Sequence, residues 1–162
     1  MNAISQVDIK FPSWRIATLL TLGFWLSSSL VLDWVIMPSL YLSGMINQAS
    51  FSTAGYVIFW NFNRLELLAA SVILSGLLAI SKIQSRWRLN SIALSVALLT
   101  IVLIDTYSLS PQMSSMRVQL SLFSQENIVP PSMNLLHGVY FILEACKLAL
   151  SAVLLSWCWR EA

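Results

Sequence analysis

The sequence predicts an all-α integral membrane protein, an up-down bundle of four transmembrane helices. Three observations carry this expectation. Hydrophobic residues make up 57% of the 162-residue chain and charged residues only 10%, against about 25% charged in a soluble domain. The apolar residues gather into four runs, each close to the ~20 residues that a helix needs to cross a bilayer. Prolines or basic residues mark most of the boundaries between those runs. Four spans and their connections use nearly the whole chain, so one domain, 1–162, is expected.

Residues 1–14 are short and mixed, with Asp8, Lys10 and Pro12. Span 1 is expected at about 15–37, ended by Pro38, which removes a helix donor. The run is too long for a signal-peptide core and no A-x-A-like site follows it, so it reads as a retained span. Residues 38–56 carry no charge and predict a loop with a short interfacial helix. Span 2 is expected at about 57–80 and opens on a polar cluster, Asn61, Asn63, Arg64 and Glu66. Lys82, Arg86 and Arg88, with Trp87 among them, form a basic connection to span 3 at about 89–109, before Pro111. In the segment from Gln112 to Val129, residues Met113, Met116, Leu120 and Phe123 fall on one helical stripe. That predicts an amphipathic helix on the membrane surface or packed on the bundle, with partner docking as the alternative. Span 4 is expected at about 133–159, after Pro130 and Pro131.

Orientation follows from Lys and Arg in the short connections. The segment before span 1 has Lys10 and Arg15, the 2–3 connection has three basic residues, and Arg160 follows span 4. The 1–2 connection has none and the 3–4 connection only Arg117. Both termini and the 2–3 connection are therefore expected in the cytoplasm (N-in/C-in). Trp14, Trp87, Trp157 and Trp159 then form an aromatic belt at that interface.

The candidate site is the set of ionisable residues inside the spans: Asp33, Arg64, Glu66, Asp105, Glu144 and Lys147, with His137 as a titratable companion. Each costs on the order of 2.5–3.5 kcal/mol or more if it faces lipid, so they should face one another or a wet cavity. On the helical rise, Asp33, Asp105 and His137 lie roughly 6 Å inside the outer ends of their spans, and Arg64 roughly 10 Å. Arg64 and Glu66 are two apart and point about 160° away from each other. Arg64 is therefore expected to pair with Asp33 or Asp105. Glu66 is expected to join Glu144 and Lys147 of span 4, where His137, Tyr140, Glu144, Lys147 and Ser151 form one polar stripe within about 80°. Such a cluster either fixes helix register or, where a carboxylate stays unpaired, makes a proton or cation site.

Other chemistries find little support. The scattered basic residues and net charge of +2 do not suggest nucleic acid. Asp33, Asp105 and His137 could offer metal ligands, but there is one histidine and no H-x-x-x-H or E-x-x-H pair, so no metal is expected. No cofactor is expected either, since a bis-histidine haem needs a second His. Hydrolase and phosphate-loop motifs are absent. Ser27, Ser28 and Ser29 read as helix-packing residues. Cys146 and Cys158, twelve apart, are about 120° apart on a helix and read as core residues.

The stretch Phe24–Ala70 reads FWLSSSLVLDWVIMPSLYLSGMINQASFSTAGYVIFWNFNRLELLAA. An aromatic-rich first span ends in M-P-x-L, and A-G-Y leads through an aromatic run into N-x-N-R-x-E. This pattern, about a third of the chain, resembles an uncharacterised family of small four-helix membrane proteins related to the transmembrane-protein-205-like group. The resemblance implies the four-helix membrane fold and carries no established site residues. Proteins of this look occur among cyanobacterial membrane proteins, which implies a thylakoid location beside the bacterial inner membrane.

Three function classes follow. The short soluble parts and uncharged 1–2 loop point to a non-enzymatic accessory or assembly subunit of a larger membrane complex, with other membrane subunits as partners. The intramembrane charges point instead to a small transporter of protons, cations or a solute, working as a homo-oligomer. A membrane enzyme is the third class and is not expected.

Overall fold

The computed structural model describes residues 13–45, 51–81, 88–123 and 131–160. They are helical apart from a short turn at residues 43–45. Helix α1 is Ser13–Leu30, running through a π-helical turn at Val31–Ile36 into α2, Met37–Leu42. Helix α3 is Phe51–Ser81. Helix α4 is Arg88–Ile104, continued through a second π turn at Asp105–Leu109 into α5, Ser110–Phe123. Helix α6 is Pro131–Arg160. Among the described residues, four continuous helices are long and apolar enough to cross a membrane: Ser13–Leu42, Thr53–Ile80, Leu89–Met116 and Pro131–Arg160.

Each long helix packs on its sequence neighbours, and the first also packs on the fourth. The four form a closed ring with α1 and α4 on opposite corners. Neighbours run antiparallel. At one end, Arg15 of α1 donates to the Cys158 carbonyl of α6 at 3.1 Å, where a cation suits the last carbonyls of a helix. Near the same end, Gly76 of α3 lies directly against Thr18 of α1. A side chain there would drive the helices apart, so the small residue sets the crossing distance. At the opposite end, Asn63 of α3 donates to Ser110 Oγ of α5 at 2.7 Å.

Buried positions recur three and four residues apart, as in Thr18, Leu22, Trp25, Ser29 and Leu32 of the first helix. On the fourth they are Met133, Tyr140, Glu144, Lys147, Ser151, Leu154 and Cys158. Such spacing builds one inward seam per helix. The half of the bundle holding Arg15 has an apolar core of Leu22, Ala69, Ala70, Ile73, Leu77, Leu98, Val102 and Leu154. Trp25 closes this core toward the bundle centre, where the inward positions turn polar. Trp14 and Trp159 are exposed at the same end; Trp87, with Lys82 and Arg86, lies outside the described residues.

The prolines do not end the helices as the sequence suggests. Pro38 and Pro111 sit just beyond the two π turns, where the altered hydrogen-bonding register accommodates a residue without an N–H. The first helix therefore continues to Leu42. There Ser43 N–H bonds to Ser39 O and Gly44 N–H to Tyr41 O, and Gly44 takes a φ of +73°, a glycine closure of a helix C-terminus. The segment after Pro111 is a continuation of the third helix rather than a separate amphipathic helix. Met113 and Met116 are half-buried on it, while the side chains of Leu120 and Phe123 lie outside the description.

Candidate functional site: a carboxylate cage around Lys147

Lys147 has the largest fully buried side chain among the described residues. Its Nζ lies 2.7 Å from Glu66 Oε2, 2.6 Å from Glu144 Oε2 and 3.1 Å from Asp105 Oδ2. Three long helices thus converge on one ammonium. An ammonium has three donors, yet only the Glu66 contact has hydrogen-bond alignment. Both oxygens of Glu144 and both of Asp105 are left without a hydrogen-bond partner among the described residues.

Glu66 is the best-held member. Its Oε1 accepts a 2.8 Å hydrogen bond from Trp25 Nε1 and a longer one, 3.5 Å, from Ser29 Oγ. Trp25 and Ser29 lie one turn apart on the inward face of α1. The first helix adds Asp33 from its π turn, half-buried. Its Oδ2 is buried without a hydrogen-bond partner among the described residues. Asp105 opens the second π turn and is fully buried. Both inner aspartates are thus presented by π turns, which shift the inward register by a residue. The Tyr140 ring lies 5.9 Å from Lys147 Nζ and packs edge-on to Phe59 at 5.7 Å, roofing the cluster.

Asp33, Glu66, Asp105, Glu144 and Lys147 are therefore brought together. With every carboxyl ionised the group would carry three net negative charges. Arg64 does not join it. Glu66 takes the inward position of α3 beside Asn63, and a residue two away then points outward. Arg64 is exposed, with its guanidinium over the Trp60 ring at 4.2 Å from the centroid. The expected pairing of Arg64 with Asp33 or Asp105 is thus replaced by a cation–π contact. His137 also stays apart from the ion pairs. It is half-buried, and its Nδ1 donates to the Met133 carbonyl of its own helix at 2.8 Å.

Trp25 and Ser29 are functional neighbours that sequence reasoning missed. The signal was their spacing, since Trp25, Ser29 and Asp33 stand four apart on one helical face. No group of three or more His, Cys, Asp or Glu side chains suited to a metal ion occurs among the described residues. Comparison with protein-family models, with curated proteins and with solved structures finds no match to this chain.

Proposed function

We propose that this chain is a non-enzymatic, four-span membrane protein whose central carboxyls take up and release protons, working as a small proton transporter. The observation that supports it most is the charge imbalance at the bundle centre. Four carboxyls share one ammonium, and the cation that could have balanced them, Arg64, faces outward. A register-fixing ion pair is best neutral, because uncompensated buried charge is strongly destabilising. A centre with surplus carboxyls reaches neutrality by binding protons. Asp33, half-buried where the other three carboxyls are buried, is the entry carboxyl. On the Lys/Arg distribution, the end holding Arg15 and Arg160 faces the cytoplasm. The membrane itself is proposed to be a bacterial inner membrane or a thylakoid.

The test is proton flux into liposomes that contain the purified protein and a trapped pH indicator, driven by a potassium diffusion potential. Wild type should acidify the lumen faster than protein-free vesicles, and Glu144→Gln should not. Equal rates for wild type and protein-free vesicles would overturn the reading.

One observation favours a second reading, the accessory subunit. Glu66, Asp105 and Lys147 are each no more than 2% exposed, as a closed structural cluster would be. In that case the protein, extracted gently, should run as part of a larger complex with defined unlike subunits.

A further inference from the structure

Arg64 lies thirteen residues into α3, about 20 Å along the axis from Phe51 at the helical rise. Its neighbours on the outer face, Val57, Leu65 and Leu68, are exposed and apolar. In the membrane reading, lipid chains cover that face. An arginine there is expensive unless an anion meets it. Its one described contact is the Trp60 ring. Trp60 in turn lies 5.9 Å from Tyr56, centroid to centroid, with the rings tilted by 31°. Tyr56, Trp60 and Arg64 repeat every four residues, so they form a ladder along one side of α3. Helical side chains lean toward the helix N-terminus, so the guanidinium reaches along this ladder toward the start of α3. An amphipathic ring beside a cation is the combination found at the headgroup level of a bilayer.

Among the described residues, no carboxylate forms an ion pair with Arg64. Glu66, Asp105 and Glu144 are covered at the bundle centre, and Asp33 is half-buried. From the described residues, a second copy presents no exposed carboxylate to Arg64. The bilayer that covers this face supplies an anion of fitting chemistry, a phosphodiester, which a guanidinium binds through paired N–H groups. We propose that the Tyr56–Trp60–Arg64 ladder is a phospholipid-binding site, holding a lipid phosphate against the outer face of α3. It rests on membrane insertion of the chain and is independent of proton exchange at Lys147.

Native mass spectrometry of the full-length protein in mild detergent, titrated with phosphatidylglycerol, tests this. Wild type should retain the lipid about tenfold more strongly than Arg64→Ala, the factor a charge-assisted contact supplies. Arg64→Lys should retain part of it, and Trp60→Leu should lose severalfold. Arg64 is exposed, so its variants should melt like wild type. Excess inorganic phosphate should leave the lipid in place. Its displacement would make this a free-anion site and overturn the lipid assignment. Equal retention by wild type and Arg64→Ala would overturn the proposal. So would loss of a dimer in Arg64→Ala with lipid retention unchanged, which would assign Arg64 to a second copy.

Discussion

Lys147 and Glu66, 81 residues apart in the chain, meet at 2.7 Å in the centre of the bundle. That contact ties α6 to α3, which sit across a diagonal of the helix ring. Through Trp25 and Asp105 it reaches the other two corners. Four separate segments are thereby registered on one side chain.

Removing the ammonium should do the most damage. Lys147→Met leaves the carboxyls with no counter-charge and should destabilise the bundle by about 3–5 kcal/mol, the range for breaking a buried ion pair from one side. Adding Glu66→Gln and Glu144→Gln to Lys147→Met should recover part of that loss. Unfolding in detergent, followed by circular dichroism, measures both. A Lys147→Met protein as stable as wild type would mean the cage contributes nothing to the fold.

Trp25→Phe keeps the ring in the core but removes the N–H that Glu66 Oε1 accepts. The loss should be about 1–3 kcal/mol, the penalty for an unsatisfied buried acceptor. Trp14→Phe, at an exposed position, is the comparison and should change stability by under about 0.5 kcal/mol. Melting of the two variants side by side checks this.

The α1–α3 crossing should be sensitive to a single methyl group. Gly76→Ala places a Cβ against the Thr18 hydroxyl, which itself bonds to the Trp14 carbonyl at 2.8 Å. The expected loss is about 1–3 kcal/mol from overpacking. Thr18→Ala combined with Gly76→Ala should recover most of it, because the hydroxyl is the atom in the way. Gly55→Ala, where a Cβ meets open space, should be neutral or slightly stabilising in the same assay.

Asp33→Asn should separate proton entry from stability. Asp33 is only half-buried, so the variant should melt within a few degrees of wild type. Proton flux into liposomes should nevertheless fall severalfold, since the entry carboxyl is gone. Unchanged flux would remove Asp33 from the route.

Much of this arrangement was legible in the sequence because helical periodicity is a simple rule. The stripe Tyr140, Glu144, Lys147 and Ser151 on an otherwise apolar helix could face only inward, and Glu66 was the acid left for it. Arg64 was harder. It and Glu66 point about 160° apart, so one of them had to face outward, and depth alone did not say which. Asn63, which bonds to Ser110 on the inward side, was the clue. The π turns were not legible. Pro38 and Pro111 look like helix ends when each helix is taken as regular, whereas an irregular turn just before each proline lets the helix run on. The same turns set where Asp33 and Asp105 point, so depth counting on a regular helix could not bring Asp105 to Lys147.

The most direct test of the central claim is infrared difference spectroscopy of the protein in lipid as the pH of the bathing solution is changed. The claim is that carboxyls of the Lys147 cage gain and lose protons. Wild type should show the carbonyl band of a protonated carboxylic acid appearing and disappearing with pH, and Glu144→Gln should lose or shift that band while keeping its helical signal. A band identical in wild type and Glu144→Gln, or no such band in wild type at any pH where the protein stays folded, would contradict the account.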